Sequence, residues 1–151
     1  MIWTPRVTVA AVVERDGRFL MVEEQTRDGL VLNQPAGHLE DGESLLDAVR
    51  REVLEETARP FEPSAVTGLY RWRHPGSGDT YLRVCFTGEV GDELPGRPLD
   101  ADIERTLWLD HAALTADPRR LRSPLVMRCI DDCRAGRRHP LDLLADLDSA
   151  D

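Results

Sequence analysis

Residues 37–59 read GHLEDGESLLDAVRREVLEETAR, and this stretch decides both the fold and the chemistry expected of the chain. From Glu43 to about Thr57 it holds no proline or glycine, and Leu46, Val49 and Val53 recur on one stripe at helical spacing. Pro60 and Pro63 are expected to close the helix. At about 100° per residue, Glu52, Glu55 and Glu56 share an arc of roughly 100°, so three carboxylates converge on one side of one turn. Like charges at these spacings cost a helix a few tenths of a kcal/mol, which Arg50 and Arg51 offset only in part. Acidic helix faces are ordinarily solvated surface. Here, however, the carboxylates flank the core-facing stripe, and the loop before them brings backbone carbonyls near Ala36 and Gly37. Carboxylate, carbonyl and water oxygens are the ligands that Mg2+ or Mn2+ takes.

The same segment resembles the Nudix box: Gly, five residues, Glu, seven residues, Arg-Glu, an aliphatic, any residue, Glu-Glu, any residue, Gly, an aliphatic. Gly37, Glu43, Arg51, Glu52, Val53, Glu55 and Glu56 match in register, whereas Ala58 and Arg59 replace the final Gly and aliphatic. Beyond the box, the run 33–40 (NQPAGHLE), the surroundings of Trp72 and of Leu82-Arg83, the run 121–126 (LRSPLV), Gly136 and Pro140-Leu141 resemble the bacterial NudJ phosphatase branch of this MutT-like family. The resemblance implies a Nudix fold, an α+β (α/β/α) sandwich with a mixed β-sheet, a catalytic box helix and a C-terminal helix. It also implies a magnesium- or manganese-dependent hydrolase of phosphoanhydride bonds. By resemblance, Glu52 and Glu56 are direct metal ligands, Glu55 is a ligand or positions the water, and the Gly37 carbonyl completes the shell. Glu52 is the first choice for general base and Glu55 the second; Arg51 orients a glutamate, with Glu43 as its partner. A further carboxylate from outside the box is expected at Asp102, or alternatively Glu104; either is equally readable as a solvated loop acid.

Outward from the box, residues 7–13 (VTVAAVV) read as a buried strand, Asp16-Gly17 as a tight turn and residues 19–22 (FLMV) as the return strand of a hairpin. A loop through Asn33-Gln34-Pro35-Ala36-Gly37 leads to the helix. Strands are expected at 66–72, 81–90 and 105–109, with a turn at 75–79. A last helix spans 124–135, capped by Gly136, and the end of the chain from about 141 to 151 is expected to be loosely ordered. These elements make an antiparallel or mixed sheet, with the box helix on one face and the last helix on the other.

For substrate grip, Arg71 and Arg73 fall on one face of a strand, Arg83 is on its neighbour, and guanidinium suits phosphate better than ammonium does. Trp72 and Tyr81 offer rings to stack on a base or pyrimidine, against the plain alternative of packed cross-strand aromatics. Arg122 and Ser123 stand where the N-terminus of the last helix can receive an anion. His38 and His74 receive no role.

The 151 residues, 41% hydrophobic, suit one domain over 1–151. A net charge of −9 argues against nucleic acid as partner but not against a polyphosphate, because bound divalent cations reverse the local sign. Three cysteines, Cys85, Cys129 and Cys133, form no metal-ligand spacing and read as small buried hydrophobes of a reducing cytoplasm. No membrane span or cationic leader is seen at the start of the sequence. The expected substrates are a nucleoside di- or triphosphate, or a hydroxymethylpyrimidine or thiamine pyrophosphate, losing terminal phosphate in a monomer or homodimer. The alternatives are internal cleavage of a nucleoside triphosphate, ADP-ribose or dinucleoside polyphosphate, and a silent nucleotide-sensing domain, against which the intact box glutamates speak.

Overall fold

The apolar run from Val9 to Val13 does not alternate with polar residues, as in a strand buried on both faces. In the computed structural model, which describes residues 1–148, every one of these five side chains is at most 1% exposed. The elements follow in the order β1 (Arg6–Val12), β2 (Glu14–Arg15), β3 (Arg18–Thr26), β4 (Gly29–Asn33), β5 (Ala36–His38), α1 (Leu45–Thr57), β6 (Phe61–Arg73), β7 (Thr80–Val90), β8 (Ile103–Asp110), α2 (His111–Ala116) and α3 (Pro124–Arg134). Short 3-10 turns lie at Pro118–Arg120 and Leu141–Leu143.

Two sheets form. One, ordered β5-β1-β7-β6, is mixed: β1 runs parallel to β7 and antiparallel to β5. In the other, β3 pairs antiparallel with β2, β4 and β8. The expected hairpin is therefore only partly present, because β2 rather than β1 pairs with β3 across the Asp16-Gly17 turn, whose residues both have positive φ. Buried on both sides, β1 is a central strand and takes its neighbours from later in the chain.

Each face of the mixed sheet has its own core. Val9, Ala11, Val84 and Phe86 pack with Val49 and Val53 of α1, while Ala10, Val12 and Cys85 pack with Val126, Cys129 and Ile130 of α3. The sandwich of sheet between a box helix and a C-terminal helix is as the sequence suggested. Several boundaries differ. Helix α1 starts at Leu45, capped by the Ser44 hydroxyl, which accepts from the Asp47 N–H at 3.0 Å. Pro63 does not lie in a closing loop; it sits inside β6, an edge strand, beside a bulge, where proline is tolerated. Asn33 and Ala36-Gly37 belong to β4 and β5 rather than to a loop.

At the C-terminal end, Leu141 and Leu144 pack against the α1-side core, so ordered contacts extend past 140. The last part of the expected loose tail, 149–151, lies outside the described residues. Cys85 and Cys129 are buried and free, and Cys133 is half-buried and free. No helix among the described residues is long and apolar enough to cross a membrane.

Candidate active site

Helix α1 lies with Ala48, Val49 and Val53 against the sheet, and the same register turns Glu52 and Glu56 inward, at 8% and 6% exposure. The Glu52 carboxyl group rests on the Cα of Gly37 in β5, in the space any side chain there would fill. This is the physical reason for a glycine at the head of the motif. One turn along, Glu56 Oε1 accepts the Ala36 N–H at 2.7 Å.

Arg51 gathers the acids around it. Its Nε and Nη2 donate to the two Glu43 oxygens at 2.9 and 2.6 Å, and its Nη1 donates to Glu52 at 2.8 Å and Glu55 at 3.2 Å. Nη2 also reaches the His38 carbonyl at 3.0 Å, tying the helix to the loop before it. The hydrogen bond from Arg51 holds the Glu43 carboxyl below its ordinary range, overcoming the effect of burial. Glu52 is pushed up by burial, and the adjacent Arg51 offsets this only in part. Glu56 is pushed up to about 9: burial dominates, the Ala36 N–H opposes it, and the charges of Glu24, Glu52 and Asp100 add to the rise. A carboxylate set this reluctant to hold its charge unaided suits a divalent cation, which lowers the cost of ionisation.

The acid from outside the helix is Asp100. Glu52, Glu55 and Asp100 each offer an oxygen within 4.8 Å of the others, the one such cluster found among the described residues. The expected Asp102 is not part of it. The loop between β7 and β8 docks on the end of α1, where Leu94 N–H donates to the Ala58 carbonyl at 2.8 Å and Asp100 N–H to the Glu55 carbonyl at 3.0 Å. Asp102 instead uses its carbonyl to accept from Gln25 N–H at 2.8 Å, and Glu104 lies exposed at the irregularity where β8 meets β3.

A second acid that the sequence reading passed over is Glu24. Strand β3 was expected to stop near Val22; it continues to Thr26 and carries Glu24 toward Glu56. Its carboxylate accepts from Asn33 Nδ2 at 3.2 Å and lies 3.7 Å from Arg122.

The two departures from the box pattern have local explanations. Ala58 ends α1 in the left-handed region at φ 58°, donating its N–H to Leu54 at 2.9 Å, so it adopts the glycine-like conformation at a cost of about 1 kcal/mol. Arg59 uses its guanidinium where an aliphatic was expected, lying 5.8 Å from the centre of the Trp108 ring and donating to the Gly91 carbonyl at 2.9 Å.

Beside the carboxylates opens a cleft of about 500 Å³, whose wall includes Glu24, Gly37, Tyr81, Arg83, Arg122 and Ser123. Arg83 is 6% exposed; its Nη1 donates to Gln34 at 3.0 Å, and among the described residues its Nε has no partner and no carboxylate lies within ion-pair distance. Trp72, also in the wall, stacks on Tyr81 with centroids 5.9 Å apart, and His74 meets Trp72 edge-on at 5.3 Å. Ser123 caps α3, and Arg122 N–H donates to the Leu32 carbonyl at 2.8 Å, which fixes this corner beside β4. Arg71 and Arg73 do share a face, but both are exposed and neither lines the cleft, because Trp72 between them takes the inward position.

The NUDIX domain model matches residues 4–128. Phosphatase NudJ of Escherichia coli is 39% identical over 142 residues, covering 94% of this chain and 92% of that protein, and the same values hold for Phosphatase NudJ of Shigella flexneri. Among solved structures, a NUDIX hydrolase from Nitrosomonas europaea superimposes with a TM-score of 0.94 at 49% identity, covering 97% of this chain and all of that one.

Proposed function

We propose, for a chain that belongs to the NUDIX domain family and is a hydrolase of pyrophosphate bonds, that one domain spanning 1–151 removes the terminal phosphate of a nucleoside di- or triphosphate or of a pyrimidine or thiamine pyrophosphate. The observation that carries this reading is the convergence of Glu52, Glu55 and Asp100, with Glu52 resting on Gly37, a residue that lines the same cleft as the buried Arg83.

Phosphoanhydride hydrolysis needs charge neutralisation on phosphate oxygens, a water aimed at phosphorus and a base for its proton. The donor set fits Mg2+ or Mn2+, with Glu52, Glu55, Glu56, Asp100 and the Gly37 carbonyl as the groups that would hold it. When bound, the metal supplies charge neutralisation and lowers the pKa of water. Glu52, desolvated and steadied by Arg51, is the first choice to take the proton, and Glu55 the second. Arg51 orients these acids rather than touching substrate. Arg83 and the Arg122-Ser123 corner hold the phosphate chain, and the Trp72-Tyr81 stack receives the ring. Asp102 has no role in this scheme, and Arg71 and Arg73 do not grip the substrate.

Hydrolysis of a nucleoside triphosphate in oxygen-18 water, read by phosphorus NMR, tests the point of cleavage. Label in released orthophosphate supports terminal attack. Release of pyrophosphate with the nucleoside monophosphate rejects it and favours the internal cleavage of a pyrophosphohydrolase.

A further inference from the structure

Within the run 33–37, Ala36 and Gly37 meet the box glutamates, whereas Gln34 meets an arginine. Gln34 lies between β4 and β5 and is fully buried, at 0% exposure. Backbone bonds fix the chain on either side of it: the Leu32 carbonyl accepts from Arg122 N–H at 2.8 Å, and the Pro35 carbonyl from Ala11 N–H at 3.0 Å.

A primary amide has a donor end and an acceptor end, and Gln34 uses both. Its Nε2 donates to the Val126 carbonyl, in the first turn of α3, at 2.6 Å, and its Oε1 accepts from Arg83 Nη1 at 3.0 Å. A carbonyl can only accept and a guanidinium can only donate, so these two partners admit a single orientation of the amide. Gln34 thereby joins three elements: the segment before the box, the first turn of α3 and the strand β7 that carries Arg83.

Arg83 lines the cleft and has no carboxylate partner among the described residues. Through Gln34 it is linked to the N-terminal turn of α3, the positive end of the helix dipole, so its surroundings add to the demand for an anion. The Cys129 thiol also lies close to the guanidinium, but a thiol is a far weaker acceptor than an amide oxygen. A carboxylate at position 34 would fix the guanidinium equally well, yet it would also neutralise it and would set a second acceptor against the Val126 carbonyl. An amide holds the group and leaves its charge uncommitted.

Resting on the reading that Arg83 grips the phosphate chain, we propose that Gln34 is the positioning residue for that grip, a neutral acceptor that orients the guanidinium and ties its place to α3. Gln34 touches no substrate in this scheme and acts only through Arg83.

The test is calorimetric titration of the whole chain, at pH 8 with magnesium, with an ATP analogue in which methylene groups replace both bridging anhydride oxygens, so that neither bond hydrolyses. Wild type is compared with Arg83→Gln, Gln34→Met, the double variant and Gln34→Glu, and circular dichroism reports the folding of each. Arg83→Gln is expected to weaken Kd about tenfold or more, and Gln34→Met by about the same factor. In the Arg83→Gln background, Gln34→Met should add less than about a twofold loss, because the group it positioned is gone. An equal loss in both backgrounds marks a general loosening of the core and overturns the proposal, as does wild-type affinity in Gln34→Met. Gln34→Glu keeps the shape of the side chain and supplies the answer where Gln34→Met does not fold: weakened binding supports a neutral acceptor, and wild-type affinity overturns it. Unchanged affinity in Arg83→Gln, or no binding to the wild type, instead removes Arg83 from the phosphate grip, and with it the reading on which the proposal rests.

Discussion

The Glu52 carboxyl group occupies the volume in which a Cβ on Gly37 would have to sit. A backbone strand and a helical acid are thus in direct contact, and the position of the acid depends on residue 37 having no side chain. Gly37→Ala is expected to displace Glu52 and lower kcat by about a hundredfold, the scale of a small misplacement in an active site. Steady-state kinetics at saturating magnesium measure this, with circular dichroism as the folding control. Wild-type kcat in a folded Gly37→Ala protein contradicts the assigned role of Glu52.

Glu52→Gln and Glu56→Gln should each lower turnover by about two orders of magnitude or more, as expected on loss of an electrostatic or acid-base group. Both should leave metal-free thermal stability unchanged or raised, since burial disfavours the ionised form of each acid and an amide at either position carries no such cost. The two readouts move in opposite directions only if the acids serve function at some expense to the fold.

The raised pKa of Glu56, about 9 against an ordinary 4.5, predicts an unusual pH dependence. Between those values the folded protein retains a proton that the unfolded chain releases, so metal-free stability falls as pH rises through the window, with a slope of up to about 1.4 kcal/mol per pH unit. Urea midpoints at pH 5.5, 7 and 8.5 in chelator should therefore decline. Glu56→Gln should flatten the decline, and magnesium should oppose it by binding the ionised form.

Arg51→Lys keeps the charge but not the fork that joins Glu43, Glu52, Glu55 and the His38 carbonyl. We expect a loss of about 2 kcal/mol in stability and a fall in kcat without a matching change in KM. Denaturant titration and Michaelis-Menten analysis of the same sample check both.

Asp100→Asn should raise the magnesium concentration needed for half-maximal activity by about tenfold, whereas Asp102→Asn should leave it unchanged. A metal titration of activity in the two variants decides between the positions, and an effect confined to Asp102 reverses the assignment.

The Asp100/Asp102 difference also marks how far the sequence could be read. Acids fixed to one helix, such as Glu52, Glu55 and Glu56, were legible because helical spacing alone puts them together. Asp100 was not, because its position depends on hydrogen bonds between a loop and the helix end, to Ala58 and Glu55, which leave no periodic trace. Glu24 was missed for a related reason: the apolar run ends at Val22, but pairing with β4 and β8 extends the strand through the polar residues that follow. The arginines were legible as a group and not individually. Alternation along β6 put Arg71 and Arg73 together, but only the Trp72-Tyr81 pairing reveals which side faces the cleft.

The parallel pairing of β1 with β7 has a consequence for how the chain acquires its structure. Val9 lies beside Val84, so β1 gains this second neighbour only after β7 has been made. Until then its apolar residues and unpaired edge are open to other chains. Contacts this distant in sequence delay folding through loop-closure entropy. The candidate site, which draws on β3, β5, α1 and the loop before β8, can assemble only once synthesis has passed Asp100.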